Sequence, residues 1–311
     1  MPYRESGRVD RMRVVVAGSS GLIGTALVRH LTDAGHEVRR LVRRRPRDGG
    51  EIGWDPVAGT IDEAAVASAD AVVDLAGVNV GSRPLTAARK HEVVASRVQT
   101  AGLLARTLAA RDDGPRVLLQ ASGIGAYGDR GDALLTEDEP LGRTFFADVV
   151  RRWEDATTPA SDAGVRVVHL RTGIVLSPHG GALGRLLLPL RAGVATRLGD
   201  GRQYWSWISL PDEVAAITHL LTAPVHGPAN LVTRADRHAA LLDALRRAYG
   251  ARLTVPVPAA ALRVALGDFA SEVLGSVRAD PAVLRGSGFV PLHGTPDEVA
   301  RWVRTGSPPA P

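Results

Sequence analysis

The stretch RVVVAGSSGLIG, Arg13 to Gly24, constrains this chain more than any other. A short β-branched run enters a cluster of glycines, and GLIGTALVRHLTDAG then repeats its apolar residues at helical spacing as far as Gly35, a natural helix-ending glycine. Gly18, Gly21 and Gly24 thus stand as G-x-x-G-x-x-G between a strand and a helix. In that setting the first glycine permits a tight turn, the second lets the backbone approach a pyrophosphate, and the third allows close packing of helix on strand. Ser19, Ser20, Leu22 and Ile23 complete the loop and the first turn, whose free N–H groups and positive dipole end favour phosphate. The expectation is a dinucleotide-binding loop.

The next strand, HEVRRLVR, indicates which dinucleotide. NAD sites usually carry Asp or Glu about 20 residues further on, accepting from the ribose 2′-hydroxyl. Here the strand ends in Arg43, Arg44 and Arg45, with no acid before Asp48. A carboxylate would repel a 2′-phosphate, whereas a guanidinium pairs with it in a fork. NADP(H) is expected, with Arg43 its leading phosphate ligand.

Further strands are read in ADAVVDLAG (69–77), PRVLLQASG (115–123) and GVRVVHLRTGIVL (164–176), with a long helix over 86–110. Strand alternates with helix, so the fold class is α/β: a doubly wound parallel sheet with right-handed crossovers. Four segments are expected. Residues 1–11 form a disordered N-terminal extension and 12–176 the nucleotide-binding domain, its sheet open to completion by later segments. Residues 177–303 make a smaller, mostly helical C-terminal lobe for substrate, and 304–311 a flexible tail.

A chain of 311 residues, 45% apolar, is long enough for a main domain and such a lobe. No apolar run approaches ~18 residues, so no membrane span is expected, and the glycine-broken start makes a poor signal peptide. The chain has no cysteine, which removes disulfides, thiol catalysis and Cys-ligated metal, and a cytoplasmic protein is expected. A net charge of +5 is compatible with nucleic-acid binding, but the arginines are dispersed apart from 39–47, and that cluster is accounted for by the expected 2′-phosphate. No nucleic-acid partner is expected. The nine histidines lack metal-ligand spacing, so no metal is expected either.

Beyond VVVAGSSGLIG, the segments IGWDPVAGTID, VVDLAGVNV, ARKHEVVASRV, ASGIGAYGDRGDALLTEDEP, FFADVVRRWEDA, RVVHLRTGIVLSPHGGAL, LGDGRQYWSWI and SVRADPAVLRGSGF lie in order across residues 12–303. Together they resemble an atypical family of short-chain dehydrogenases/reductases, in the extended, epimerase/dehydratase-like branch, with a C-terminal domain of unassigned function. The resemblance implies a Rossmann-type sheet and several cofactor contacts: Leu75, Ala76 and Gly77 beside the adenosine, Arg97 on the following helix, and Ala121 and Arg171 near the nicotinamide. It also implies the superfamily's dimer, built on helices that FFADVVRRW would supply.

Enzymes of that branch carry Tyr and, four residues later, Lys on this helix. Here either register gives Phe then Val: Phe145 with Val149, or Phe146 with Val150. The single lysine of the chain, Lys90, follows no tyrosine at that spacing, so the usual proton relay has no material. Ser122 and Tyr127 are the candidate catalytic residues, although the superfamily's helper Ser/Thr aligns as well with Gly123. Glu137 is a further carboxylate near the cleft. Arg202, Gln203 and Trp205, in GDGRQYWSW, are expected to line the substrate site, Arg202 pairing with an anion and Trp205 stacking on a ring. Two functions follow: an NADP(H)-dependent oxidoreductase or epimerase-like protein acting on a small carbonyl or hydroxyl compound, or a non-catalytic NADP(H)-binding redox sensor that meets a regulatory partner.

Overall fold

The computed structural model describes residues 11–110 and 113–306. Residues 1–10 of the expected extension and 307–311 of the expected tail lie outside the described residues. The strands are β1 (Arg13–Ala17), β2 (Glu37–Val42), β3 (Glu51–Asp55), β4 (Thr60–Ile61), β5 (Ala71–Asp74), β6 (Val117–Gly123), β7 (Leu134–Leu135) and β8 (Arg166–Thr172). They continue with β9 (Ile174–Leu176), β10 (Val194–Leu198), β11 (Tyr204–Ser209), β12 (Gly227–Leu231), β13 (Arg234–Arg237), β14 (Leu253–Val257) and β15 (Arg278–Ala279). The helices are α1 (Leu22–Asp33), α2 (Glu63–Ala67), α3 (Ala87–Ala109), α4 (Phe145–Asp155), α5 (Thr158–Asp162) and α6 (Gly184–Arg191). After them come α7 (Leu210–Thr222), α8 (His238–Tyr249), α9 (Ala259–Leu266), α10 (Ala270–Leu274), α11 (Ala282–Gly286) and α12 (Pro296–Thr305).

The main sheet has the order β12-β8-β6-β5-β1-β2-β3-β4, parallel except for β4. Its central strands are apolar on both faces because both faces are covered. Val14 and Val16 of β1 enter one core with Leu27 and Leu31 of α1 and Ile217 of α7, while Val15 and Ala17 enter the other with Leu104 and Leu108 of α3. From β1 the chain builds outward through β2 and β3, then returns to the other side of β1 with β5. That reversal leaves a crevice between the ends of β1 and β5, the usual ligand position in an open α/β sheet.

Two boundaries differ from the sequence reading. The run 164–176 is broken at Gly173, where β8 stays in the main sheet and β9 pairs with β11 in a second sheet. A Cβ at Gly173 would lie 2.6 Å from Val232 Cγ1 and 2.7 Å from the Ser206 carbonyl oxygen, so a glycine is needed where the chain changes sheets. The main sheet is completed by a segment past residue 176, a point the sequence reading left open: β12 pairs with β8, and α7 packs on α1. Finally, α12 runs through Arg304 to Thr305 and ends on Gly306, in the left-handed region at φ 69°, so the helix occupies the start of the expected tail.

Candidate functional site

At the end of β1, Gly18 has φ +71°, and a Cβ there would sit 2.5 Å from the Leu75 carbonyl. At Gly24 a Cβ would overlap the Gly18 carbonyl oxygen and lie 2.8 Å from Ser19 Cα. These two contacts lock β1, α1 and the end of β5 together. Gly21 is exposed at the helix N-cap, where no side chain caps and no acid occupies the first turn. The first amides of α1 therefore have no intrahelical acceptor and no competing carboxylate, which suits an anion.

The arginines after β2 are sorted by Glu51. Arg44 forks onto its carboxylate at 2.7 and 2.5 Å, Arg40 adds a contact at 3.0 Å, and the Arg47 N–H donates at 2.9 Å. Arg44 above all holds the Glu51 carboxyl down to about 2. Arg39 is tied to the Gly49 and Ala65 carbonyls. Arg43 remains exposed beside this group, with no hydrogen bond or ion pair among the described residues.

Across the crevice, Leu75 donates to the Ala17 carbonyl at 3.1 Å, and Ala76 donates to Asp74 Oδ1 at 2.9 Å. Gly77 is exposed above Arg97, whose guanidinium carbon would be 3.4 Å from a Cβ at that glycine. Arg97 lies over the Trp153 ring at 4.8 Å and donates to the Val78 and Val93 carbonyls. Burial lowers its pKa to about 10.

The helix that lacks Tyr and Lys is α4. Phe146, Ala147, Val149, Val150 and Trp153 are buried within the chain, and α4 packs against α3. The expectation that FFADVVRRW offers its apolar stripe to a second copy is thereby corrected, since that face is already covered. Phe145 meets Phe146 edge-on at 5.1 Å, and Lys90 Nζ lies 5.2 Å from the Phe145 ring centre.

Ser122, Tyr127 and Arg171 meet in a buried polar network that the sequence did not disclose. Ser122 Oγ donates to Glu154 Oε1 at 2.7 Å, and Arg171 grips the same carboxylate through Nε and Nη2, both at 2.9 Å. Arg171 Nη1 donates to the Tyr127 hydroxyl at 3.1 Å, which in turn donates to Asn230 Oδ1 at 2.8 Å. Burial raises the Tyr127 pKa, and the side chain is 1% exposed. Three expectations change. Tyr127 and Ser122 are committed to internal partners and do not present a proton to the cleft. The Arg171 side chain braces α4 and does not reach for the cofactor. Glu137 is likewise internal, accepting from the Asn230 and Val283 N–H groups. Ala121 stays half-buried at the end of β6.

The substrate-lining expectation also changes. Gln203 Nε2 and Trp205 Nε1 both donate to the Val273 carbonyl, at 3.4 and 3.1 Å, and both residues are buried. Buried amide and indole N–H groups need acceptors, and here they find them on α10. These residues fasten the C-terminal lobe and do not face a ligand. Arg202 is exposed on the preceding turn, its N–H donating to Asp200 Oδ1 at 2.9 Å.

At the C-terminal end of β8, Thr172 Oγ1 donates to Glu213 Oε1 at 2.8 Å. Burial pushes the Glu213 carboxyl from 4.5 up to about 8, so it is folded as the neutral acid. The unfolded chain then releases its proton at lower pH than the folded one, and stability falls as pH rises from 4.5 through about 8. Glu213→Gln keeps the acceptor without the titration. Its stability relative to the native chain is expected to rise between pH 5 and pH 8, and urea midpoints at the two pH values that keep the same spacing would refute this.

Among the described residues no group of His, Asp and Glu could hold a metal ion, and no helix is long and apolar enough to cross a membrane. Comparison with known proteins agrees with the crevice. Residues 14–233 match the model of the NAD dependent epimerase/dehydratase family, and 257–303 match a domain of unknown function, DUF1731. An epimerase family protein of Mycobacterium bovis, Mb2239, is 41% identical over 94% of this chain and 97% of its own length. The human epimerase family protein SDR39U1 is 37% identical over 82% of this chain and 87% of its own. A crystal structure of human SDR39U1 (isoform 2) with NADPH superposes with a TM-score of 0.87 at 32% identity, covering 94% of this chain and 99% of that one. With a Rossmann-type sheet, a glycine-built crevice and a C-terminal domain of this kind, the chain belongs to the NAD-dependent epimerase/dehydratase family, in its SDR39U1-like, atypical short-chain dehydrogenase/reductase group.

Proposed function

We propose that this protein is an NADP(H)-dependent oxidoreductase or epimerase-like enzyme acting on a small carbonyl or hydroxyl compound. The observation that carries the reading is the pairing of an uncapped α1 N-terminus with an exposed Arg43 at the end of β2. The first suits a pyrophosphate and the second a 2′-phosphate. The human relative whose structure contains NADPH supports it. The residues present fit the group: Gly18 to Gly24 would hold the pyrophosphate, Leu75 to Gly77 would flank the adenosine, and Ala121 would border the nicotinamide. Bound there, the dinucleotide supplies hydride chemistry, leaving the chain to orient the substrate and exclude water.

Arg43→Ala tests the cofactor choice. NADPH affinity is expected to fall roughly 10- to 100-fold while NADH affinity stays unchanged, because only the charged 2′-phosphate contact is removed. Calorimetric titrations with both dinucleotides read this directly, and an equal loss for the two would refute the assignment.

A second reading is favoured by the missing Tyr-x-x-x-Lys pair and by the internal commitment of Tyr127. In it the protein binds NADP(H) as a redox sensor and presents its bound state to a partner. Saturable NADPH consumption with carbonyl substrates separates the two, since a sensor shows binding without turnover.

A further inference from the structure

The C-terminal lobe closes over the place where the family's tyrosine would stand. Phe269, just before α10, packs edge-on against Phe146 at 6.2 Å and would contact a Cβ at Gly81 at 3.6 Å. Asp268 forms an ion pair with Lys90 of α3. Val273 receives the Gln203 and Trp205 N–H groups that fasten α10 from behind. Between these anchors, Glu272 points into the joint. Its Oε2 would be 2.9 Å from a Cβ at Gly125, in the loop following β6, with Phe146 Cβ 3.4 Å from the same point. A larger residue than glycine at 125 would displace this carboxylate.

Glu272 therefore stands beside the loop that follows the helper Ser/Thr position at the end of β6, and beside the first turn of α4, where the tyrosine is absent. It has no hydrogen-bond or ion-pair partner among the described residues, although it is partly buried. Charged residues on the elements around it include Lys90, Arg89, Glu92 and Arg97 on α3, Asp148, Arg151, Arg152 and Glu154 on α4, Asp129 and Arg130 after the Gly125 loop, Arg263 on α9 and Asp268. Lys90 is paired with Asp268, and Arg151 with Asp148. Arg130 is bonded to the Tyr127 and Pro140 carbonyls. Burial is accordingly the cause that pushes the Glu272 carboxyl from 4.5 up to about 7.

We propose that Glu272, delivered by the C-terminal domain, is the proton donor and acceptor of the site, in place of the absent tyrosine. The inference rests on the oxidoreductase reading above. In the reducing direction the Glu272 O–H bond breaks as the substrate carbonyl oxygen takes the proton. The new C–H bond takes its electron pair from the dinucleotide hydride, and water then reprotonates the carboxylate. In the oxidising direction the carboxylate accepts the hydroxyl proton. The domain of unknown function thus has a chemical task, which the position of Glu272 against Gly125 and Phe146 makes available and which neither Phe145 nor Phe146 can perform.

The test uses the full-length protein and two readouts. Carbon-detected NMR titration of the side-chain carboxyls, with Glu272 assigned by its disappearance in Glu272→Gln, is expected to show a group titrating near pH 7. NADPH oxidation with 4-nitrobenzaldehyde as the probe is expected to fall roughly 10²- to 10⁴-fold in kcat in Glu272→Gln, with NADPH affinity unchanged. In the native protein kcat for reduction should decline as pH rises through about 7, since the acid form is then lost. Glu272→Asp should restore part of the rate. A Glu272 resonance titrating below about pH 5 overturns the proposal whether or not turnover is found, as does undiminished turnover in Glu272→Gln. Failure of the underlying reading looks different: the native protein then binds no NADPH, or binds it and turns over no carbonyl probe.

Discussion

Arg171→Met is expected to destabilise the fold by about 3–5 kcal/mol, because it leaves a buried carboxylate without its cation. Arg171 is 6% exposed at its side chain and Glu154 11%, and the two are joined by two hydrogen bonds of 2.9 Å. Burial pushes the Glu154 carboxyl up, but hydrogen bonds from Arg171 and Ser122 and the charges of His169 and Arg171 together outweigh it and leave the group below its ordinary 4.5. The pair's contribution is therefore complete above 4.5 and fades as pH falls through the folded value. Without the guanidinium, Ser122 is the remaining side-chain hydrogen-bond donor to that carboxylate, and the Tyr127 hydroxyl keeps only Asn230. The double variant Arg171→Met, Glu154→Met should recover much of the loss, since two apolar side chains pack without a desolvated charge. Urea denaturation at pH 7 measures both variants. A loss below about 1 kcal/mol in the single variant would mean that water reaches the pair, and the network would no longer explain how β6, β8 and α4 are held together.

That network marks the limit of what local pattern reveals. The strand–glycine–helix turn was legible because its parts are contiguous, and strand and helix each impose a periodicity of their own. Arg43 could be singled out as an expectation because a cation at that strand end would suit a 2′-phosphate, and the structure leaves it exposed. Glu154 gave no such signal. It sits on the polar side of an amphipathic helix, where an acid is ordinary, and its partners Ser122 and Arg171 lie 32 and 17 residues away. Gln203 and Trp205 misled for a related reason. An aromatic and an amide in a glycine-rich turn resemble a ligand surface, and only the return of Val273, about 70 residues later in the chain, shows their N–H groups to be structural. Glu272 was missed because the lobe's packing against Gly125 joins segments nearly half the chain apart. The break at Gly173 is different again: the sequence carried the glycine, but only the crossing of Ser206 and Val232 shows why it ends the strand.

Gly24→Ala is the prediction with the largest expected effect on binding. Its added methyl would overlap the Gly18 carbonyl oxygen and press on Ser19 Cα, both of them backbone atoms that cannot rotate away. Either α1 retreats from β1 or the loop opens, and in both cases the first amides of the helix leave the line on which a pyrophosphate would meet them. NADPH affinity is expected to fall roughly 100-fold or more, a loss of at least about 2.7 kcal/mol. Gly35→Ala is the matched control. Gly35 has φ +86° but no atom within 4 Å of its Cβ position, so alanine there strains the backbone without crowding anything. It should cost about 1 kcal/mol in stability and leave NADPH affinity as it was. The two variants therefore separate glycine needed for conformation from glycine needed for close approach. Calorimetry on folded Gly24→Ala that still gave native NADPH affinity would show that the crevice between β1 and β5 is not where the dinucleotide's phosphates lie, and the assignment of Arg43 would fall with it.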